Sequence, residues 1–176
     1  MKNKYIKDYF ATPEGKLEYR GKYYVSRISD EERKKEGMTQ LIYCIVCALL
    51  LVLALCIPCE GNQTIYIVIP LELTFLCLWS YITGALAFLK SKERLEEKEY
   101  DKAYQGPIQA LTIAIFLYVF SIGGQFIGIV MNAEAKNTGD IYFAMILVFV
   151  LVMSIVVWNR QRKVMHLVSE EKGLMK

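Results

Sequence analysis

Four long runs of apolar residues constrain the fold of this chain more than any other feature. They occupy residues 41–57, 65–89, 108–131 and 141–158, and Glu72 is the one charged residue within them. A hydrocarbon core about 30 Å thick is crossed by roughly 20 helical residues. Because backbone polar groups find no water inside lipid, runs of this length are typical of helices. The sequence therefore predicts an all-α membrane protein with a four-helix transmembrane bundle.

The basic residues are distributed very unevenly among the segments that flank these runs. Of the 21 lysines and arginines, twenty lie before the first run, between the second and third, or after the fourth; the other is Lys136. Cytoplasmic loops carry an excess of lysine and arginine. We therefore expect a multi-pass plasma-membrane protein with both termini cytoplasmic: residues 1–39 as a partly helical N-terminal segment, 40–159 as the transmembrane domain and 160–176 as a tail.

The N-terminal segment carries signals for a helix start and for a small hairpin. Ser29 followed by Glu32 is a capping-box pattern, which predicts that the first helix begins well before the membrane. The tyrosine-rich residues 16–26 are expected to pair as a hairpin around the turn at residues 20–22.

The loop between the second and third runs is rich in charged helix formers. We expect residues 90–105 to prolong the second helix into the cytoplasm, up to a break at Gly106 and Pro107. Asp140 is expected to cap the fourth helix.

Glu72 is the first candidate functional residue because a carboxyl group inside a membrane is costly. Such a group normally faces the bundle interior and finds a polar partner there. The four runs contain no lysine, arginine or histidine, so an ion pair between spans of one chain is excluded. Thr83 projects from the same side of the second helix as Glu72, and Gln125 on the third helix lies at nearly the same depth.

Helix three presents a narrow face of small and polar residues. Gly124 and Gly128 have the spacing that allows close helix packing, and the face also contains Ala110, Ala114, Ser121 and Gln125. We expect this face to pack against helix two, with Glu72 and Gln125 hydrogen-bonded or lining a polar cavity. The pair then serves either a small proton- or cation-coupled transporter or only the packing of two helices.

The cysteines form the second candidate site. Four of the five lie in or just beyond the first run, as the pairs Cys44/Cys47 and Cys56/Cys59. A CxxC motif at the outer mouth of a four-helix protein with both ends inside resembles the quinone-linked membrane oxidases that regenerate disulfide catalysts. The resemblance covers the topology and Cys56/Cys59 alone, and it implies a thiol–disulfide oxidoreductase.

Two features of the sequence depart from that oxidase pattern. Those oxidases carry a second cysteine pair in the second outer loop and an arginine beside the first pair, and this sequence has neither. Cys56 and Cys59 also follow the C-terminal end of a helix and adjoin Glu60, and both influences disfavour a thiolate. A simple disulfide between the two cysteines is the alternative.

The sequence contains no catalytic motif, metal-ligand spacing or cofactor-binding loop. Its net charge of +3 and interleaved acids and bases do not indicate a nucleic-acid partner. We therefore expect a non-enzymatic accessory, regulatory or interaction subunit, without metal or cofactor. Its expected partners are the lipid bilayer and either another membrane protein or further copies of itself.

Overall fold

A computed structural model describes residues 9–11, 15, 17–19, 21–131 and 138–171. Four long helices account for most of them: α1 (Asp30–Cys56), α2 (Ile65–Leu89), α3 (Glu97–Met131) and α4 (Thr138–Met165). Five short strands lie outside the helices: β1 (Tyr9–Ala11), β2 (Leu17–Tyr19), β3 (Tyr23–Ser26), β4 (Arg94–Glu96) and β5 (Val168–Glu171).

Within the described residues, four helices are long and apolar enough to cross a membrane, which confirms that part of the prediction. α2 has the predicted bounds, while the other three extend beyond their apolar runs into charged sequence. α1 packs against α2, α2 against α3, α3 against α4, and α4 back against α1. The four helices therefore form a closed bundle in which α2 and α3 share the most extensive interface.

The outward-facing side chains of this bundle are mostly large and apolar. Phe116 on α3, Trp79 on α2 and Leu49 on α1 are each about two-thirds or more exposed, at 71%, 69% and 66%. A helix of a water-soluble bundle instead turns a polar face outward. The outer surface is thus compatible with a surrounding lipid phase.

A three-stranded antiparallel sheet, in the order β4–β3–β5, lies at one end of the bundle. Its strands come from the N-terminal segment, the central loop and the C-terminal tail, so three distant parts of the chain meet there. We call this the sheet end, and the opposite end, with the α1–α2 turn, the loop end. The sheet corrects the all-α prediction, because short strands with few apolar residues leave no signal that stands out beside the helices.

The predicted hairpin of residues 16–26 is wrong in its pairing. β2 pairs with β1, with Tyr9 opposite Tyr19, while β3 pairs with β4 and β5. The sequence suggested a local hairpin because this segment is rich in tyrosine on both sides of a possible turn at residues 20–22. The partners of β3 lie far along the chain, where sequence pattern gives no information about register.

The capping box at the start of α1 is confirmed. The Ser29 side chain accepts a hydrogen bond from the Glu32 amide, and the Glu32 side chain accepts one from the Ser29 amide. One turn further on, Arg33 is buried and donates to the carbonyl oxygens of Ser91 at 2.6 Å and Ile28 at 3.4 Å. It therefore ties the start of α1 to the segment that follows α2.

The central loop extends α3 rather than α2, contrary to the prediction. α2 ends at Leu89, and the chain is helical again from Glu97 straight through Pro107. Residues Asp101–Gln105 form a π-helical turn, in which the Gly106 amide donates to the Asp101 carbonyl. Proline lacks an amide hydrogen and crowds the preceding turn, and widening that turn keeps the helix continuous without a break.

An aromatic cluster joins the sheet to the helices at the sheet end. The rings of Tyr24 and Tyr100 stack with centroids 4.0 Å apart, and Tyr104 lies 5.4 Å from Tyr100 and 5.2 Å from Phe88. The Tyr104 hydroxyl donates to the Ser26 hydroxyl at 3.2 Å. These contacts hold β3 against α2 and α3.

Candidate functional site

Glu72 lies on the outer surface of α2, two turns or about 11 Å from the helix start at Ile65. Its side chain is exposed and makes no hydrogen bond or ion pair with any described residue. Thr83 is also exposed, and its hydroxyl donates to the Ser80 carbonyl of its own helix. The expected pairing of Glu72 with Gln125 is therefore corrected, because Glu72 faces outward whereas the Gln125 side chain on α3 is buried and bonded to Asp140.

The outer face of α2 differs from those of the other helices. It carries Glu72, Leu76, Trp79, Ser80 and Thr83, all exposed. The outward positions of α1, α3 and α4 hold apolar residues or glycine through the middle of their described spans. α2 thus presents the Glu72 carboxyl group outward at a depth where the outward side chains of its neighbours are apolar.

Gln125 belongs to a polar cluster at the loop end. Its side chain is 1% exposed, and its amide nitrogen donates to the Asp140 carboxylate at 3.0 Å. The same carboxylate oxygen accepts from the Gly61 amide at 3.2 Å. Asp140 lies in the first turn of α4. Because α4 begins at Thr138, Asp140 is not its N-cap as predicted; its side chain instead joins α4, α3 and the α1–α2 turn.

The small residues of α3 mostly lie where the sequence placed them. Ala110 and Ala114 are buried, and a methyl group built on Gly124 would lie 3.1 Å from the Ile67 side chain of α2. The Ser121 hydroxyl donates to the Ile67 carbonyl at 3.3 Å. Gly128 is the exception, since no atom lies within 4 Å of a methyl group built there. This face packs inside the chain, so it is not free for a partner helix.

Cys56 and Cys59 have different surroundings and are not joined. Cys56 is exposed, whereas Cys59 is 5% exposed beneath the α1–α2 turn. Burial raises the pKa of the Cys59 thiol, and the nearby Asp140 carboxylate raises it further. A raised pKa leaves little thiolate, the nucleophilic form, at neutral pH.

We expect Cys56 to react with a maleimide at least ten times faster than Cys59 at pH 7.5. The physical reasons are the exposure of Cys56 and the burial of Cys59. Single-cysteine variants labelled in mild detergent and followed by mass spectrometry measure both rates. Equal rates, or a Cys56–Cys59 disulfide that forms without added oxidant, would contradict this arrangement and favour the oxidoreductase alternative.

A group of hydroxyl and thiol side chains occupies the middle of the bundle and was missed in the sequence. The Tyr43 hydroxyl lies 2.7 Å from the Ser154 hydroxyl, which itself donates to the Val150 carbonyl. The Tyr43 ring contacts the Tyr81 ring edge to face, with centroids 5.7 Å apart. We define the core polar cluster as six buried residues: Tyr43, Cys44, Cys47, Tyr81, Tyr118 and Ser154.

The core polar cluster contains two hydroxyls without partners. Tyr81 and Tyr118 are 1% and 0% exposed, and neither hydroxyl has a hydrogen-bond partner among the described residues. The thiols of Cys44 and Cys47 lie near both of them. A signal was available in the sequence, since Tyr43, Cys44 and Cys47 recur at helical spacing on one face of α1.

No family model, curated protein or solved structure matches this chain. Among the described residues, no group of three or more histidine, cysteine, aspartate or glutamate side chains is placed to hold a metal ion. The arrangement of side chains is therefore the basis for any functional assignment.

Proposed function

We propose that this chain is a non-enzymatic membrane subunit that assembles with another membrane protein through the outer face of α2. The observation that carries the proposal is the position of Glu72, a carboxyl group directed away from its own bundle at membrane depth. Acidic residues inside a membrane almost always face protein or water and find a partner. A partner helix on this face would supply the polar or charged group that Glu72 does not find within its own chain.

The proposed partner is a transmembrane helix that carries a lysine or arginine at the depth of Glu72. A carboxylate in hydrocarbon is stabilised most by an opposite charge at close range. A second copy of this chain cannot provide that charge, because its four apolar runs contain no basic residue. Charge complementarity thus favours a different protein over self-association.

The neighbouring residues of the outer face suit a helix interface. Leu76, Trp79 and Thr83 follow Glu72 at spacings of four, three and four residues, so all four lie on one side of α2. Serine and threonine hydroxyls hydrogen-bond between helices in membranes. Trp79, with 69% of its surface exposed, offers a large area for contact.

A transporter that conducts ions through this single bundle is less well supported. Such a protein needs its acidic residue along an internal path, whereas Glu72 faces outward and the interior of the described bundle holds neutral residues at that depth. A transporter using Glu72 would require a second chain to complete the path.

The proposed location is the plasma membrane, with the sheet end in the cytoplasm. The support is the distribution of basic residues, because the segments that form the sheet carry nearly all of the lysines and arginines. The positive-inside rule assigns such segments to the cytoplasmic side.

Photo-crosslinking in the native membrane tests the assembly. We expect a benzoylphenylalanine at position 79 to form an adduct with a protein that has a lysine or arginine in a transmembrane span. Glu72→Gln keeps the size of the side chain and removes the charge, so we expect the adduct yield to fall about tenfold or more. Loss of a partner from a buried charge pair typically costs enough for this change.

A probe at position 116 is the matched control, because Phe116 is as exposed as Trp79 but lies on the outer face of α3. It should give no such adduct. Equal adducts from both positions, or a yield unaffected by Glu72→Gln, would refute the proposal. An adduct with a second copy of the chain would replace it with self-assembly.

A further inference from the structure

The strongest unexplained feature of the interior is the pair of tyrosine hydroxyls in the core polar cluster. Tyr81 and Tyr118 are fully buried, and each has a hydroxyl hydrogen without an acceptor among the described residues. Buried polar groups in native proteins nearly always have partners, and an unsatisfied one destabilises the fold. Two of them in one cluster therefore indicate a ligand that supplies hydrogen bonds.

The hydroxyl hydrogens of the neighbouring side chains are directed to other acceptors. Ser154 already donates to the Val150 carbonyl and receives the Tyr43 hydroxyl. The Thr74 hydroxyl, next to Tyr118, donates to the Leu71 carbonyl of its own helix. A small molecule that both donates and accepts hydrogen bonds would complete the bonding of both tyrosine hydroxyls.

Unpartnered side-chain oxygens also occur beyond the cluster at both ends of the bundle: those of Gln125 and Asn62 at the loop end, and those of two glutamines toward the sheet end. Gln40 and Gln161 lie nearer the sheet end, are 3% and 4% exposed, and each has a side-chain oxygen without a partner among the described residues. Toward the loop end the buried hydroxyls of Thr74 and Ser121 are bonded to carbonyl oxygens, and four apolar side chains are 0% exposed: Leu51, Leu71, Phe143 and Leu147. The two glutamines therefore extend the set of unpartnered polar atoms from the middle of the bundle toward the sheet end.

We propose that the core polar cluster binds water molecules that exchange with solvent at the sheet end. Water fits because it both donates and accepts, and a buried water typically makes about three hydrogen bonds to otherwise unpaired polar groups. The two tyrosine hydroxyls and the neighbouring thiols provide such partners. Four apolar side chains with no exposed surface lie on the loop side of this water, which favours exchange at the sheet end. This inference does not depend on the proposed assembly through α2.

Water-edited solid-state NMR of the protein in lipid bilayers tests this directly. With tyrosine ring carbons labelled, we expect magnetisation from water to reach Tyr81 and Tyr118 within about a factor of two of the rate at Tyr23 of β3, which lies outside the four apolar spans. Phe143, one of the four apolar side chains at 0% exposure, should receive it far more slowly. If Tyr81 and Tyr118 are as slow as Phe143, the cluster is dry and the proposal is wrong.

Two sets of variants complete the test. Gln40→Leu with Gln161→Leu should slow the transfer to Tyr81 at least threefold, whereas Gln109→Leu, at an exposed position of α3, should not. An unchanged rate in the first variant would overturn the connection to the sheet end. Tyr81→Phe and Tyr118→Phe should each lower the melting temperature; a rise in both would mean that the hydroxyls have no ligand to lose.

Discussion

Gly84→Val should separate α2 from α3 and destabilise the protein by about 3 kcal/mol, the upper part of the range for overpacked sites. A methyl group built on Gly84 would lie 2.2 Å from a ring carbon of Pro107 and 3.2 Å from the Lys102 carbonyl oxygen. Neither the proline ring nor a backbone carbonyl can move aside as a flexible side chain can. For a chain of this size we expect the melting temperature in mild detergent to fall by roughly 6–12 °C.

Gly123→Val provides a matched control for this prediction. Gly123 lies in α3, and no atom is within 4 Å of a methyl group built there. Both variants place the same β-branched residue in a helix, so the intrinsic helix preference changes equally. A fall of similar size in both would show that Gly84 has no special contact with Pro107.

The sequence predicted the helices well because their signal is local. Apolar runs of the length of a bilayer and the capping box at Ser29 each depend on residues close together in the chain. The packing of α2 against α3 was also predicted, because the small residues Ala110, Ala114 and Gly124 recur on one face of α3. Small side chains on this face allow the two helices to approach closely, and the spacing of these residues in the sequence reflects that contact.

The sheet end could not be predicted, because its contacts join residues that are distant in sequence. Val25 pairs with Arg94 on one side and with Ser169 on the other. Strands of three or four residues carry too few side chains to define a period or a register. The π-helical turn before Pro107 was missed for a related reason, since a proline signals a break unless neighbouring packing holds the helix together.

The candidate site was predicted in its residue types and not in its direction. The sequence indicated Glu72 as the unusual residue, but the rule that acidic groups face inward assumes that the bundle is complete in one chain. Ser121 and Gln125 do lie inside, where they bind Ile67 and Asp140 instead. Because Glu72 is exposed and not bonded inside the bundle as expected, it supports the proposal that a partner protein binds there.

Arg33 has the second large expected effect, because its guanidinium connects three segments at the sheet end. It donates to the carbonyls of Ser91 and Ile28 and pairs with Asp30 at 2.9 Å, although it is only 5% exposed. Methionine in Arg33→Met fills similar space but has no hydrogen-bond donors. The carbonyl oxygens of Ser91 and Ile28 then lose the hydrogen bonds that Arg33 donates. We expect a loss of about 3 kcal/mol, since buried hydrogen bonds to charged groups contribute roughly 1.5–3 kcal/mol each.

The loss should be confined largely to the sheet end, and limited proteolysis can locate it. In Arg33→Met we expect trypsin to cut after the exposed Arg27 at least ten times faster than in the unmodified protein, because the segment before α1 loses its attachment to Ser91. Lys34→Met removes the same charge from an exposed position one residue later and should change neither stability nor cleavage. Equal effects of the two substitutions would show that net charge, and not the buried contacts of Arg33, holds the sheet on the bundle.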